Sequence, residues 1–210
     1  MLGRIHWKKM DARLKLSSRF IIIGSSQSGK TVWVKRLLKN ANDIFNTPSN
    51  KMYWYYGIWN KGLLDFKEDP NIFVREGMPT SPSEIEPNSI VVIDDELEGD
   101  YTSIFTKWVH HVPMCCIKIT QNIYHKPKDR TSNLSAQYLI LFKYPGDKMT
   151  IRTLASQMRK PWLMDAYEEV TAKPYRYLLI DLHQTTPDAI RIRTNILPGE
   201  GMLTMFKAKK

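Results

Sequence analysis

The chain has 210 residues, of which 42% are hydrophobic and 25% are charged, a composition that excludes a disordered, collagen-like or coiled-coil protein. Its length fits one α/β domain that buries roughly 70% of its unfolded surface. The formal net charge of +10 favours a polyanionic partner. No apolar run reaches the ~18 residues of a membrane span, and residues 1–16 lack the apolar core of a secretory signal. We therefore expect a soluble protein of the cell interior.

Short apolar runs alternate with segments of helical periodicity along the chain. Strands are predicted at residues 20–23, 52–59, 72–74, 90–93, 115–120, 138–142 and 177–182. Helices are predicted at residues 31–39, 101–110, 149–158 and 162–170. This alternation predicts an α/β fold with a mainly parallel sheet and helices on both faces. Residues 189–196 alternate apolar and polar side chains, which predicts an edge strand with one face in solvent. The linker-like stretch 77–88 is too short to separate two domains.

The first predicted strand runs into the pattern G-x-x-x-x-G-K-[ST], and a predicted helix follows, which is the required setting for a phosphate-binding loop. The loop consists of Gly24, Ser25, Ser26, Gln27, Ser28, Gly29, Lys30 and Thr31. Its glycines allow the backbone to wrap a phosphate, and its N–H groups and the helix N-terminus supply positive field. Lys30 is expected to contact the β- and γ-phosphates and Thr31 to offer its hydroxyl to Mg²⁺. A glycine turn without a ligand is the alternative that this setting argues against.

A second strand, residues 89–93, ends in three consecutive acids, which is the Walker B pattern. A carboxylate at the tip of a strand beside the phosphate loop can hold Mg²⁺, and another can polarise the attacking water. We assign Asp94 to the metal and Asp95 to the water. Glu96 stays an alternative base, because three acids in a row leave the register open. Glu98 is interpreted as an exposed loop residue.

The strand predicted at residues 115–120 ends in Gln121, where a side chain could sense the γ-phosphate and orient water. Phosphoryl transfer also needs positive charge, which an arginine from a neighbouring subunit can supply. Arg130 is the first candidate for that role, followed by Arg152 and Arg159. For each arginine, a salt bridge or a DNA contact is an equally good interpretation.

Three further features have simpler interpretations. Cys115 and Cys116 are adjacent in an apolar strand, so a disulfide between them would strain the backbone and both are expected to be reduced core residues. No histidine has a zinc-like spacing to cysteine or acid, so a structural metal is not expected. The aromatic run 53–59 could stack on bases or on an adenine ring. We favour a strand that buries aromatic side chains and a loop that presents Trp59 at its tip.

Charge is unevenly distributed along the chain. Acidic residues are concentrated at 65–100, whereas 1–19 and 118–160 are basic. Basic residues that share one face would bind a phosphate backbone without sequence preference. A solvated basic surface is the alternative.

Taken together, five segments resemble FtsK/HerA-type genome-packaging ATPases of Maverick/Polinton elements and adintovirus-like genomes and, more distantly, of poxvirus-like large DNA viruses. The segments are GSSQSGKT, IVVIDDE, KITQN, YLILFKYPGDKMTIRTLASQM and YLLIDLHQTTPDAIRIRTNI. The resemblance covers roughly residues 17–197. It implies an additional-strand, RecA-like P-loop NTPase core, assembly into a ring, and ATP-driven movement of double-stranded DNA into a preformed capsid.

By position, the resemblance places residues 24–31 in the nucleotide loop, Asp94 and Asp95 in Walker B, and Gln121 in the sensor. Arg130 falls where related motors often place an arginine that acts on the neighbouring subunit. One departure is Gly146, where many relatives have a basic residue; that role would be absent or moved to Lys143 or Lys148. The chain also lacks a fused nuclease domain, so it is not expected to cut DNA.

The leading hypothesis is therefore an ATP- and Mg²⁺-dependent DNA-translocating packaging motor. We predict a basic segment at 1–18, a P-loop domain at 19–197 and a basic tail at 198–210. The expected partners are double-stranded DNA, further copies in a homo-oligomeric ring and capsid vertex proteins, with no membrane. The expected location is the host cell interior, in nucleus or cytoplasm, and the virion. The alternatives are a P-loop kinase for a nucleoside or small molecule, and a degenerate DNA- or capsid-binding subunit; the intact Lys30, Thr31 and Asp94 argue against the latter.

Overall fold

A single sheet contains every strand in the part of the chain that the computed structural model describes: residues 11–59, 61–94, 102–121, 135–146 and 148–208, and the backbone of 2–5. The ten strands are β1 (Leu2–Ile5), β2 (Arg19–Ile23), β3 (Met52–Tyr56), β4 (Ile72–Glu76), β5 (Ser89–Ile93), β6 (Met114–Thr120), β7 (Tyr138–Phe142), β8 (Tyr177–Asp181), β9 (Ile192–Thr194) and β10 (Thr204–Ala208). They lie in the order β1-β10-β9-β8-β7-β2-β6-β5-β3-β4.

Helices connect most of these strands. They are α1 (Lys30–Lys39), α2 (Ala41–Ile44), α3 (Leu64–Lys67), α4 (Val109–His111), α5 (Lys148–Gln157) and α6 (Leu163–Thr171). A π-helical turn, Ile104–Trp108, leads into α4. Short 3₁₀ turns lie at Lys61–Leu63, Pro82–Glu84 and Asp188–Ile190. No helix of the described residues is both long and apolar enough to cross a bilayer.

The sheet has a parallel half and an antiparallel half. Strands β7, β2, β6, β5, β3 and β4 pair in parallel, whereas β7–β8, β8–β9, β9–β10 and β10–β1 pair antiparallel. The central parallel strands are almost continuously apolar because both of their faces are covered; all five residues of β5 and of β7 are buried. The predicted mainly parallel α/β sheet is confirmed.

Each face of the sheet has its own hydrophobic core. On one face Phe20 and Ile22 of β2 pack with Leu37 of α1 and with buried side chains of α2 and α3. On the other face Ile21 and Ile23 pack with α5, α6 and the π-helical turn. Full burial of one such aliphatic side chain contributes about 1.5–3 kcal/mol to the stability of the fold. Because β2 has buried side chains on both faces, the two cores hold in place the strand that carries the phosphate loop.

The antiparallel half corrects one prediction. The segment 189–196 does not form an edge strand, because β9 lies between β8 and β10 and all three of its residues are buried. Arg193 is 1% exposed there, and its guanidinium lies 3.3 Å from the carboxylate of Asp181 on β8. A buried acid on the neighbouring strand thus replaces the solvent that the alternating pattern implied.

Strands also occur outside residues 19–197. β10 lies within the predicted tail 198–210 and pairs with β9, and β1 lies within the predicted segment 1–18 and pairs with β10. The sheet therefore includes backbone from both terminal segments.

Two of the simpler interpretations are confirmed. Cys115 and Cys116 are buried free thiols, and burial raises the pKa of both, that of Cys116 to about 12. In the aromatic run, Trp54 is buried within β3, whereas Trp59 follows the strand, is 37% exposed and packs edge-on against Tyr56.

Candidate functional site

The loop between β2 and α1 depends on glycine at two positions. A Cβ on Gly24 would lie 2.6 Å from Cβ of Phe142 and 2.7 Å from Oγ of Ser28, so no side chain fits there. Gly29 has a φ of 101°, in the left-handed region that glycine adopts without steric cost. Gln27 also has a positive φ, of 59°. When left-handed and right-handed backbone conformations alternate along a loop, successive N–H groups point to the same side and form an anion-binding concavity.

Helix α1 leaves its positive end open. Its N-cap is Gly29, which offers no side-chain cap, and no acidic residue lies in the first turn. The first N–H groups of a helix have no partner within the helix, and the macrodipole adds positive potential there. An anion in the loop would therefore meet unneutralised N–H donors.

The ammonium of Lys30 lies inside this loop. Its Nζ donates to the carbonyl oxygens of Gly24 at 2.7 Å and Ser25 at 2.9 Å, and the residue is only 8% exposed. Ser25 in turn donates from its N–H and its hydroxyl to the carbonyl oxygen of Lys143, at 3.4 and 3.2 Å. The lysine is thus held beside the backbone donors, and a bound phosphate would compete with two carbonyls for it.

The order of the strands confirms the predicted additional-strand arrangement. β6 lies between β2 and β5. In the strand register, Ile23 of β2 pairs with Thr120 of β6, and Ile93 of β5 pairs with Lys118 of β6. Parallel strands lie about 4.8 Å apart and end at the same edge of a sheet. Gly24, Gln121 and Asp94 therefore follow three neighbouring strands at one edge.

Asp94 is positioned by β3. Its backbone N–H donates to the carbonyl of Tyr55 at 3.1 Å, and its Oδ2 accepts from the indole N–H of Trp54 at 3.3 Å. It continues the side of β5 on which Ile90 and Val92 pack in the core under α1. Its carboxylate is consequently directed to the face of the sheet where α1 begins, with the half-buried Thr31 in the first turn of that helix.

Carboxylate and hydroxyl oxygens are suitable ligands for Mg²⁺, which proteins usually bind through one or two carboxylates together with phosphates. Within the described ranges, no group of three or more His, Cys, Asp or Glu side chains could hold a metal ion. The Asp94 carboxylate and the Thr31 hydroxyl are ligands of the kind that Mg²⁺ binds together with phosphate oxygens, and their assignment to Mg²⁺ stays a prediction.

The remaining predicted site residues are distributed as follows. Gln121 is exposed directly after β6. Asp95, Glu96 and Arg130 lie outside the described residues, so their assignments stay predictions. Arg152 and Arg159 are both exposed and line a groove of about 520 Å³ beside Met164. Lys148 forms an exposed ion pair with Glu168, at 2.9 Å.

A pocket of about 440 Å³ adjoins the loop and includes residues that the sequence analysis missed. Residues 27–33 and Arg36, from the loop and α1, line it together with Tyr175 and Glu200. Tyr175 lies in the turn before β8 and Glu200 in the turn before β10, so only the tertiary fold brings them to α1. No local pattern in the sequence signals either residue.

A buried polar cluster, also missed, lies at the opposite edge of the sheet. His183 Nδ1 is 2.9 Å from Oδ1 of Asp181, and His183 Nε2 is 3.0 Å from Oγ of Ser18. This is the order of groups in a serine hydrolase triad. However, Ser18 is 0% exposed, so no substrate reaches its hydroxyl. The backbone carbonyl of Ser18 accepts a hydrogen bond from the N–H of Cys116 at 3.0 Å. The cluster connects β8 to the start of β2 and has a structural role.

Comparison with solved structures identifies the architecture. The chain is similar to the genome-packaging NTPase B204 of Sulfolobus turreted icosahedral virus 2 with bound sulfate, with 14% identity, a TM-score of 0.55, and coverage of 87% of this chain and 97% of that one. The chain has the P-loop NTPase fold.

Two further structures share this P-loop NTPase fold. B204 described as the DNA-packaging ATPase of Sulfolobus turreted icosahedral virus has 14% identity and a TM-score of 0.53, over 87% of this chain and 98% of that one. The AMPPCP complex of the virus 2 protein has 15% identity and a TM-score of 0.51, over 89% and 98%. No protein-family model and no curated protein matches the chain.

Proposed function

We propose that this chain is a packaging ATPase that hydrolyses ATP to move double-stranded DNA. One observation carries the proposal: the phosphate loop, Gln121 and Asp94 follow neighbouring strands at one edge of the sheet, with Gln121 directly after the added central strand. The fold likeness to B204, which is described as a DNA-packaging ATPase, supports it. The five sequence segments that resemble FtsK/HerA-type packaging ATPases support it further.

In this proposal the loop binds the triphosphate. Backbone N–H groups of the loop and of the start of α1 surround the phosphates, and Lys30 exchanges its two carbonyl acceptors for phosphate oxygens. Thr31 and Asp94 hold Mg²⁺, which when bound neutralises charge on the β- and γ-phosphates. Trp54 keeps the Asp94 carboxylate directed toward α1.

Hydrolysis follows from the groups at the strand ends. The oxygen of a water molecule forms a bond to the γ-phosphorus, while the bond from that phosphorus to the β–γ bridging oxygen breaks and leaves ADP and inorganic phosphate. The water proton passes to a carboxylate, assigned to Asp95 with Glu96 as the alternative. The Gln121 amide orients the water, and an arginine of a neighbouring copy, first Arg130, stabilises the transferring group.

The decisive experiment is phosphate release with and without duplex DNA for Lys30→Ala. Loss of one preorganised charge-stabilising group typically costs about 10²–10³ in turnover, so we expect a loss of at least about 100-fold. Lys35→Ala is the matched control, because Lys35 lies on the same helix but bonds Gly62 and Asp65 instead of the loop. Equal turnover of Lys30→Ala and the unmodified chain would overturn the proposal.

Double-stranded DNA is the proposed polymer that the ATPase binds and moves, because the chain carries a net charge of +10 and its acidic residues are concentrated in one segment. Binding through phosphates should be independent of sequence and should weaken by about 10³–10⁵ between roughly 50 and 200 mM salt if six to ten phosphates are contacted. Titration of two unrelated duplexes at both salt concentrations tests this. Salt-independent affinity, or strong preference for one duplex, would contradict it.

The assembly is proposed from the same resemblance. Copies of the chain form a homo-oligomeric ring around DNA at a capsid vertex, in the host nucleus or cytoplasm and in the virion. Particle images with duplex DNA and an ATP analogue test this. A population of single copies under those conditions would contradict the ring.

A further inference from the structure

The pocket beside the phosphate loop continues away from it along α1. Residues 27–31 of the loop form one end, and Val32, Trp33 and Arg36 of the first helical turns extend the same wall. A nucleotide whose phosphates lie in the loop must place its ribose and base beyond the loop. The pocket volume of about 440 Å³ is continuous with that path.

Tyr175 presents an aromatic ring to this space. Its ring lies against the loop, since a Cβ on Gly29 would be 3.2 Å from Cδ1 of Tyr175. The residue is nevertheless 71% exposed, so it remains open to a ligand in the pocket. Its φ of 61° is costly for a residue with a side chain, and such strain is concentrated at binding sites.

The pocket lining beyond Tyr175 includes one exposed apolar side chain and one set of fixed polar contacts. Val32 is 62% exposed in the first turn of α1, where an apolar side chain gains nothing from solvent. Arg36 Nη1 donates to Glu200 Oε1 at 3.1 Å, and Tyr177 OH donates to Glu200 Oε2 at 2.5 Å. The Glu200 carboxylate is only 7% exposed. These contacts fix the segment that closes the pocket.

We propose that this pocket holds the base of the nucleotide and that Tyr175 stacks on the base while Val32 packs against it. The inference rests on the proposed function, because the phosphates of the same nucleotide occupy the loop. Every nucleobase has a π face, so stacking on Tyr175 contributes affinity for the base and none for the phosphates.

The test compares two probes, ATP and inorganic tripolyphosphate, by titration calorimetry in Mg²⁺. Tyr175→Asn removes the ring but keeps a residue that tolerates positive φ. Tyr175→Phe keeps the ring. Met149→Ala, which removes a 64% exposed apolar side chain from α5 on the other face of the sheet, is the control.

Tyr175→Asn should weaken ATP binding about 5- to 100-fold and leave tripolyphosphate binding within about twofold. Tyr175→Phe and Met149→Ala should bind both probes like the unmodified chain. Unchanged ATP affinity in Tyr175→Asn, or an equal loss for both probes, would overturn the inference. If the loop binds no nucleotide, and the proposed function fails for that reason, the unmodified chain binds neither probe, which is a different outcome from the two above.

Discussion

The indole N–H of Trp54 donates a hydrogen bond to Oδ2 of Asp94 across 3.3 Å, from β3 to the end of β5. Trp54 is fully buried and its ring packs edge-on against Phe66 at 5.9 Å. A rigid core side chain therefore sets the orientation of the carboxylate that we assign to Mg²⁺. The phosphate loop lies two strands away, so the alignment of the two groups depends on the sheet and not on a flexible loop.

Replacement of Trp54 by phenylalanine tests this positioning. Trp54→Phe removes the donor and keeps an aromatic side chain, and a hydrogen bond to a charged group contributes about 1.5–3 kcal/mol. We expect roughly tenfold lower phosphate release and a higher Mg²⁺ requirement. Trp59→Phe is the matched control, because Trp59 lies in the loop after β3 and packs on Tyr56. Identical Mg²⁺ titration curves for the two variants would refute the positioning role.

Gln121 is expected to affect turnover but not binding. Its amide follows the central strand β6 and is exposed at the strand ends, where the proposal places the attacking water. Gln121→Ala should lower turnover about 10- to 100-fold, since misplacement of one reacting group can cost that much. ATP affinity by calorimetry should stay within about twofold of the unmodified chain.

Gln157→Ala, on the exposed side of α5, provides the comparison for Gln121. Both variants should unfold at the same temperature. A rise in the ATP dissociation constant with unchanged turnover would show that Gln121 binds substrate and does not act in the chemical step.

Gly24 is required for the close approach of the loop to β7. Gly24→Ala would place a Cβ 2.6 Å from Cβ of Phe142, in a fully packed region. Such overpacking costs about 1–3 kcal/mol, and the displaced loop should also lose ATP affinity. Gly146→Ala is the control, because a Cβ there meets nothing within 4 Å. Thermal unfolding and ATP titration of both variants measure the difference; equal behaviour would contradict the crowding argument.

Local sequence patterns were sufficient to predict the parallel half of the sheet. Buried parallel strands are apolar along their whole length, and the phosphate loop has a defined sequence, so β2, β5, β6 and the placement of the loop, Asp94 and Gln121 at their ends could be predicted. β9 was mistaken for an edge strand because the burial of Arg193 depends on Asp181, a residue of another strand. The position of Tyr175 beside Gly29 likewise depends on contacts between distant segments.

The cluster of Asp181, His183, Arg193 and Ser18 predicts an acid-sensitive contribution to stability. Burial alone would raise the pKa of Asp181, but the hydrogen bonds from His183 and the charge of Arg193 outweigh it and lower that pKa below its ordinary value. A carboxyl with a lowered pKa in the folded state stabilises the protein above its unfolded pKa, about 3.9. This contribution is lost as the pH falls below that value toward the folded-state pKa.

Asp181→Asn should therefore lower the free energy of unfolding near neutral pH by about 3–5 kcal/mol, because it leaves the guanidinium of Arg193 buried without its partner. The difference from the unmodified chain should shrink as the pH falls below about 3.9, where Asp181 becomes protonated in the unfolded chain, and should vanish below its lower folded-state pKa. Asp188→Asn is the comparison: Asp188 also pairs with an arginine, Arg191, but its side chain is 73% exposed. Exposed pairs contribute about 0–1 kcal/mol, so Asp188→Asn should change stability little. Urea unfolding of the three proteins between pH 3 and 7 measures both effects, and a pH-independent difference for Asp181→Asn would show that the carboxylate charge is not what stabilises the cluster.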